Sequence, residues 1–185
     1  MKKNLKYAFI LLSICAVCAF ALGWTNSVTA PVIAQAELEN ETRALEAVSN
    51  GWTVGGQQRV ASVPFVQYSL PLTEAGQTKG YIVGLKGAGY AGELTMVASY
   101  TLQGEMLFAK MLTNSETPGL GKKSEREGYM DMFKGTGSAK AVPTTKDMLA
   151  ASDASAVSGS SVTFMAIGKA IQGGSEYVKT LGGSK

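Results

Sequence analysis

Histidine is absent from the 185-residue chain, and its only two cysteines, Cys15 and Cys18, lie in an apolar N-terminal stretch. The absence of histidine excludes Ser-His-Asp and Cys-His nucleophilic sites and His-ligated zinc or haem. Beyond residue 18 there is no cysteine for a disulfide, a thiol nucleophile or an iron–sulfur cluster. The spacing puts both thiols roughly on one helical face, which suits small residues of a membrane helix better than a metal or redox site. The preceding residues, Ile14 and Val17, are not the small residues that a lipoprotein signal requires.

Charged residues are also scarce, at 17% of the chain against about 25% in an ordinary domain. Basic residues number 17 and acidic residues 14, and the excess lies in Lys2, Lys3 and Lys6. The rest of the chain is therefore neutral and lacks the basic face that a nucleic-acid binder needs. A hydrophobic content of 45% argues against disorder, and the length corresponds to about one domain.

The N-terminal stretch has the composition of a membrane span. Residues from Tyr7 to Trp24 carry no charge, and 18 helical residues extend about 27 Å, close to the roughly 30 Å hydrocarbon core. Aromatic residues at the two ends suit the membrane interfaces. We predict that residues 7–28 form a single transmembrane helix in the cell (inner) membrane. The preceding lysines place residues 1–6 in the cytoplasm and the C-terminal domain outside it.

The remaining chain reads as a linker with an amphipathic helix over residues 29–50, followed by one extracytoplasmic α+β domain over residues 51–185. The helix begins near Gln35 and is ended by Asn50-Gly51. Runs rich in β-branched and aromatic residues predict an antiparallel sheet, whose last two strands form a hairpin through residues 102–105. The predicted strands are Arg59–Leu70, Gly80–Lys86, Glu93–Thr101 and Met106–Asn114.

Three helices are predicted after the sheet. Ser124 as N-cap and Glu127 three residues later form a capping box for a helix that stops at Gly135. A short helix is predicted from Lys146 to Ala151. A longer one, from Val162 to Ile171, is ended by Gly173-Gly174.

Two segments carry chemistry. The first is SETPGLG at residues 115–121, where Pro118-Gly119 marks a turn and Glu116 and Thr117 supply an acceptor and a hydroxyl. By itself it could be a connecting loop. The second is SGSSVT at residues 158–163, where hydroxyls at a helix start are either caps or neighbours of an anion bound there. No neighbouring base could activate a serine, so no catalytic residue is assigned, and any modified hydroxyl must be modified by another enzyme.

These segments resemble the covalent-FMN domain of the G subunit of the Rnf complex and of the related C subunit of the sodium-pumping NADH:quinone oxidoreductase. The resemblance extends to the single N-terminal span, to TNSVTAPVIAQAELE from Thr25 to Glu39, to GYAGEL from Gly89 to Leu94, and to FKG from Phe133 to Gly135. It implies a membrane-anchored FMN-binding subunit that relays electrons between ferredoxin and NAD⁺, coupled to Na⁺ or H⁺ translocation. Its implied partners are the other membrane subunits of the complex, the electron carriers in neighbouring subunits, and a flavin transferase for maturation.

The family's hydroxyl motif, S-G-A-T-x-T/S, places the esterified threonine at Ser161. Ser158 and Gly159 match the motif, Ser160 stands at its alanine, and Thr163 is the trailing hydroxyl and second attachment candidate. The SETPGLG loop would line the flavin ring or ribityl chain, and Tyr90 would stack on the ring. The resemblance thus implies no metal ligand and ten FMN-binding residues: Tyr90, Glu116, Thr117, Gly119, Leu120, Ser158, Gly159, Ser160, Ser161 and Thr163.

Two departures from that motif leave alternatives to covalent FMN. The acceptor is serine rather than threonine, and Ser155 stands where the flavin transferase expects an aspartate, with Asp153 as the nearest acid. The alternatives to covalent FMN are noncovalent FMN and a flavin-free structural subunit of the same complex. A stand-alone extracellular FMN carrier is a separate alternative to membership of the complex.

We expect the N-terminal segment to be retained as an anchor, because its apolar stretch exceeds the 7–15 residues typical of a signal-peptide core. Mass spectrometry of the membrane-extracted protein should find an N-terminus upstream of residue 7. A mature N-terminus near residue 22 or residue 31 would instead show a cleaved signal peptide.

Overall fold

A computed structural model describes residues 2–61 and 63–182, with side chains from residue 6 onward. The chain forms two compact units, Met1–Glu41 and Thr42–Lys185. The first unit consists of most of helix α1, and the whole helix spans Lys2–Val48. Its most apolar 18-residue window has a mean hydropathy of 2.2 and is not buried against protein. By length and composition this helix could cross a membrane.

The structure has one helix where the sequence suggested a membrane helix followed by a linker and a second helix. Pro31 lies inside α1, although proline cannot donate the backbone hydrogen bond of a helix interior. Proline is tolerated in long apolar helices, where serine and threonine hydroxyls bond to backbone carbonyls. In α1 the hydroxyls of Thr25 and Ser27 donate to the carbonyls of Ala21 at 2.8 Å and Trp24 at 2.7 Å, although neither is the Ser27 carbonyl, four residues before Pro31, that the proline leaves without its helical N–H donor.

The second unit is an α+β domain built on an antiparallel sheet, as predicted. The described strands are β1 Thr53–Val54, β2 Gln58–Arg59, β3 Val66–Glu74, β4 Gln77–Ala88, β5 Glu93–Thr101 and β6 Met106–Asn114. Their order is β1-β3-β4-β5-β6, and β2 also pairs with β3. The predicted bounds of β5 and β6 are confirmed.

Both faces of the sheet are covered within the second unit. Alternate residues point to opposite faces, so Val83 and Ile82 belong to separate buried clusters. On one face the sheet packs against α3, Ser161–Gly182, through Phe164 and Ile167. On the other face it packs against the last turns of α1, including Val48.

The prediction of a single strand from Arg59 to Leu70 is wrong. Strand β2 ends at Arg59 and β3 begins only at Val66. Between them, Pro64 has no N–H to donate to a strand ladder, and Phe65 adopts a positive φ of 67°. Strand β3 then continues to Glu74, where Ala75 and Gly76, both at positive φ, form the two-residue turn to β4.

The prediction of a helix with a capping box at Ser124 is also wrong. Residues 121–135 form two 3₁₀ helices, Gly121–Glu125 and Tyr129–Phe133, separated by Gly128 at φ 79°. Ser124 is not an N-cap but lies buried within the first 3₁₀ helix and donates to the carbonyl of Gly121 at 2.8 Å. The short helix predicted from Lys146 is a 3₁₀ turn, Lys146–Met148, followed by helix α2, Ala151–Ala156.

Helix α3 begins within one residue of its predicted start but does not end at Gly173-Gly174. It continues to Gly182, because these glycines serve close packing rather than termination. A Cβ at Gly174 would lie 2.6 Å from the hydroxyl oxygen of Tyr100. That hydroxyl is buried and donates to the carbonyl of Ile171 at 3.0 Å, so it has no room to move.

Replacing Gly174 tests this packing. Gly174→Ala should lower the free energy of unfolding by about 1–3 kcal/mol, the usual cost of overfilling a core. Gly173→Ala is the matched control, since the nearest atom to its Cβ would be on the exposed ring of Phe65 at 3.1 Å, and the Pro64 carbonyl oxygen would lie at an ordinary 3.5 Å. It should be neutral or stabilising by up to about 1 kcal/mol. Denaturant unfolding of the full-length protein in detergent measures both, and equal effects would contradict the packing role.

Candidate functional site

A buried carboxylate joins the segments that the sequence analysis singled out. Glu116 is 4% exposed. Its Oε1 accepts a hydrogen bond from the N–H of Ala91 at 3.0 Å, and its Oε2 accepts one from the hydroxyl of Thr163 at 3.0 Å. One side chain therefore connects the β4–β5 turn, the loop after β6 and the first turn of α3.

The strand end before Glu116 fixes where this carboxylate points. The Glu116 N–H donates to Oδ1 of Asn114, the last residue of β6, at 2.9 Å. The amide nitrogen of Asn114 donates to Ser124 Oγ at 3.0 Å. The loop is thus anchored to the sheet on one side and to the first 3₁₀ helix on the other.

Two glycines of the motifs make room for this carboxylate. A Cβ at Gly89 or at Gly121 would collide with the Glu116 side chain. In the structure, Gly89 admits a protein carboxylate.

The SETPGLG loop contains the predicted turn. The N–H of Leu120 donates to the carbonyl of Thr117 at 3.1 Å, and Gly119 sits at φ 79°, where glycine is favoured. This turn leaves Leu120 47% exposed. The first 3₁₀ helix begins directly afterwards, at Gly121.

The Ser160 side chain, directly before α3, does not cap this helix. The Ser160 hydroxyl turns back to donate to the carbonyl of Val157 at 3.1 Å, while the Ser160 carbonyl accepts the N–H of Phe164 at 3.0 Å. Among the described residues, no side chain caps the N–H groups of residues 161–163. Such N–H groups, together with the helix dipole, favour a bound phosphate.

These segments enclose a cavity of about 410 Å³, within the 300–1,000 Å³ typical of ligand pockets. It brings together eight of the ten predicted FMN-binding residues. Ser158 and Gly119 are not among its lining residues. The lining residues are Tyr90, Glu116, Thr117, Leu120, Gly121, Gly159, Ser160, Ser161, Val162 and Thr163.

Two lining residues were not predicted, although both lie within the two motifs. Gly121 closes SETPGLG, and Val162 stands between Ser161 and Thr163. Val162 is 50% exposed and follows the exposed Ser161. With Leu120 and the largely exposed Tyr90 it adds apolar surface to the cavity.

The hydroxyls at the start of α3 differ in accessibility. Thr163 is 2% exposed and Ser160 5% exposed, and each already donates a hydrogen bond, to Glu116 and to Val157 respectively. Ser161 is exposed and lines the cavity. Of these three hydroxyls, that of Ser161 alone donates no hydrogen bond within the part of the chain that the structure describes.

A buried phenol lies near the same turn. Burial raises the pKa of Tyr129 to about 12, and the neighbouring Ser160 hydroxyl offsets part of that rise. The Tyr129 hydroxyl oxygen makes no hydrogen bond with any group of residues 2–61 and 63–182. The phenol therefore remains neutral at physiological pH and adds no charge beside the cavity.

Replacing Glu116 tests its structural role. Glu116→Ala should lower the free energy of unfolding by about 1–3 kcal/mol, because it leaves two donors without an acceptor. Glu116→Gln should cost less, since its carbonyl can still accept from Ala91 while the Thr163 hydroxyl accepts from its amide. Glu125→Gln, at an exposed residue, is the control and should change stability by less than about 0.5 kcal/mol. Denaturant unfolding distinguishes these outcomes, and a neutral Glu116→Ala would show that the carboxylate does not hold the site together.

Comparisons with known proteins agree with this geometry. Residues 89–175 match the family model of the FMN-binding domain, and residues 1–48 match that of the RnfG N-terminal region. The chain is 22% identical over 171 residues to the G subunit of the proton-translocating ferredoxin:NAD(+) oxidoreductase complex of Clostridium ljungdahlii, covering 92% of this chain and 89% of that protein. It is 28% identical over 179 residues to the G subunit of the Na(+)-translocating ferredoxin:NAD(+) oxidoreductase complex of Acetobacterium woodii, covering 88% and 85%.

Proposed function

Since the chain belongs to the family of Rnf-complex G subunits and carries their FMN-binding domain, we propose that it is a membrane-anchored flavoprotein subunit. It relays electrons through FMN during ferredoxin:NAD⁺ oxidoreduction coupled to Na⁺ or H⁺ translocation. Other membrane subunits of such a complex are its partners. The chain has no histidine, and no cysteine beyond residue 18, so cluster chemistry belongs to those partners.

The cavity supports FMN binding with its phosphate at the start of α3. The N–H groups of residues 161–163 can hold phosphate oxygens, and Leu120, Val162 and Tyr90 offer apolar surface to a flavin ring. When bound, FMN supplies the redox-active ring, and the protein positions it and tunes its potential. Glu116 keeps the loop and helix walls of the cavity together through its bonds to Ala91 and Thr163.

Covalent attachment at Ser161 is the version of this site that the geometry favours. The observation that carries it is the exposed Ser161 hydroxyl at an uncapped helix start, beside a Thr163 hydroxyl that is buried and bonded to Glu116. In the attachment step, Ser161 Oγ forms a bond to the flavin-side phosphorus of a flavin dinucleotide. The phosphoanhydride bond breaks, the nucleoside monophosphate leaves, and the hydroxyl proton passes to solvent.

A separate flavin transferase is needed for this step. Among the described residues, the Ser161 hydroxyl has no side-chain hydrogen-bond partner to serve as a base. The benefit of a covalent bond follows from location. By the positive-inside rule, the lysines before the span support a second unit on the outer side of the cell (inner) membrane. A cofactor that dissociates there could not be replaced from the internal pool.

The test is the intact mass of the full-length protein produced with a flavin transferase. The wild type should gain one FMN less water, and Ser161→Ala should gain nothing while remaining folded. Ser158→Ala is the control, because Ser158 is exposed but does not line the cavity, and it should be modified like the wild type. Flavin retained by Ser161→Ala would disprove this attachment site.

The same material separates the remaining alternatives. A denatured band that fluoresces under ultraviolet light indicates covalent flavin, and a native protein that is yellow without such a band indicates noncovalent FMN. A colourless protein would indicate a flavin-free structural subunit. Purification without other membrane subunits would favour a stand-alone carrier.

A further inference from the structure

Lys123 makes a second connection between the segment after SETPGLG and the turn that precedes α3. Its Nζ donates to the carbonyl of Ser158 at 3.1 Å. Lys123 lies in the first 3₁₀ helix, directly after SETPGLG, and Ser158 lies in the turn that leads into α3. The two residues are 35 positions apart in the chain, so neither motif alone indicates the contact.

Both ends of this hydrogen bond are held by local structure. The N–H of Lys123 donates to the carbonyl of Leu120 at 3.0 Å, which ties the lysine to the SETPGLG turn. Ser158 is followed by Gly159 at φ 78° and by Ser160, whose N–H donates to the carbonyl of Val157 at 3.0 Å. The lysine is thus hydrogen-bonded to a compact turn that ends one residue before Ser161.

Lys123 and its neighbour Lys122 differ in whether a carboxylate pairs with the ammonium group. Lys122 is exposed, and its Nζ lies 3.9 Å from Glu125. Within the described residues no carboxylate forms an ion pair with Lys123, although Glu127, Asp131 and Asp153 line a cavity that Lys123 also lines. Lys123 is partly exposed, and its ammonium group makes a charge-assisted hydrogen bond to the backbone carbonyl, a type that is stronger than a neutral one.

We propose that Lys123 is a positioning residue for flavin attachment. Its hydrogen bond to Ser158 holds the turn over residues 157–160 against the first 3₁₀ helix and so presents the Ser161 hydroxyl beside the cavity. Lys123 lines a different cavity from Ser161, so it acts on the acceptor hydroxyl through this turn and not by contact with the flavin phosphate. This inference rests on the proposed attachment at Ser161, and it adds a residue outside both motifs.

Four variants of the full-length protein test it: Lys123→Met, Lys123→Arg, Lys123→Gln and, as matched control, Lys122→Met. Each is incubated with the flavin transferase and flavin dinucleotide, and the rate of FMN addition is followed by intact mass over a range of protein concentrations. Lys123→Met should lower the maximal rate about tenfold, corresponding to one lost charge-assisted hydrogen bond. The half-saturating protein concentration should change by less than about twofold, since Lys123 positions the acceptor rather than recruiting the transferase.

Lys123→Arg should recover most of the rate, because guanidinium also donates to a carbonyl and keeps the charge. Lys123→Gln keeps a donor on a shorter side chain without the charge, so its rate should lie between those of Lys123→Met and the wild type. Lys122→Met should match the wild type. Amide hydrogen exchange on the unmodified proteins supplies a readout that needs no flavin: Lys123→Met should speed exchange in residues 158–161, and Lys122→Met should not.

Failure of this proposal and failure of the proposed function look different. If the wild type gains FMN and Lys123→Met gains it at the same rate, Lys123 has no positioning role. If Lys123→Arg is as slow as Lys123→Met, the donor and charge are not what matters, and the proposal is again overturned. If the wild type gains no FMN, the attachment itself is disproved, whatever the exchange data show about the turn.

Discussion

The site depends on one buried carboxylate. Glu116 accepts hydrogen bonds from a backbone N–H at the β4–β5 turn and from the Thr163 hydroxyl at the start of α3. A carboxylate removed from water must have such partners, because an unsatisfied buried charge is costly. The turn, the loop and the helix start therefore have to meet at this side chain, and the cavity is the space left between them.

Several features of the sequence follow from that constraint. Gly89 and Gly121 lack side chains because a Cβ at either position would collide with Glu116. The Thr163 hydroxyl donates to the carboxylate, whereas Ser161, on the same helix turn, is exposed and lines the cavity. The Ser160 side chain bonds to Val157 instead of capping, so the helix start stays available to a phosphate.

Sequence patterns predicted the elements that are specified locally and missed those that depend on packing. Strands β5 and β6 were predicted with their observed bounds, because alternating apolar residues and a short glycine turn define a hairpin by themselves. The Ser124 capping box failed because Gly128 adopts a left-handed conformation and Ser124 bonds to Gly121 instead. Helix α3 was ended too early because Gly174 faces Tyr100 rather than solvent. The motif resemblance located most of the cavity, but it could not show that Glu116 reaches Thr163, 47 residues away, nor that Lys123 reaches Ser158.

Peptide mapping of the protein purified from its own membranes tests the central claim most directly. Cleavage after lysine releases Asp147–Lys169, a peptide that contains every hydroxyl at the start of α3. The account predicts that this peptide carries one FMN less water and that fragmentation places the added mass on Ser161. An unmodified peptide from a colourless protein would contradict the account, as would a mass addition on Thr163, whose hydroxyl is bonded to Glu116.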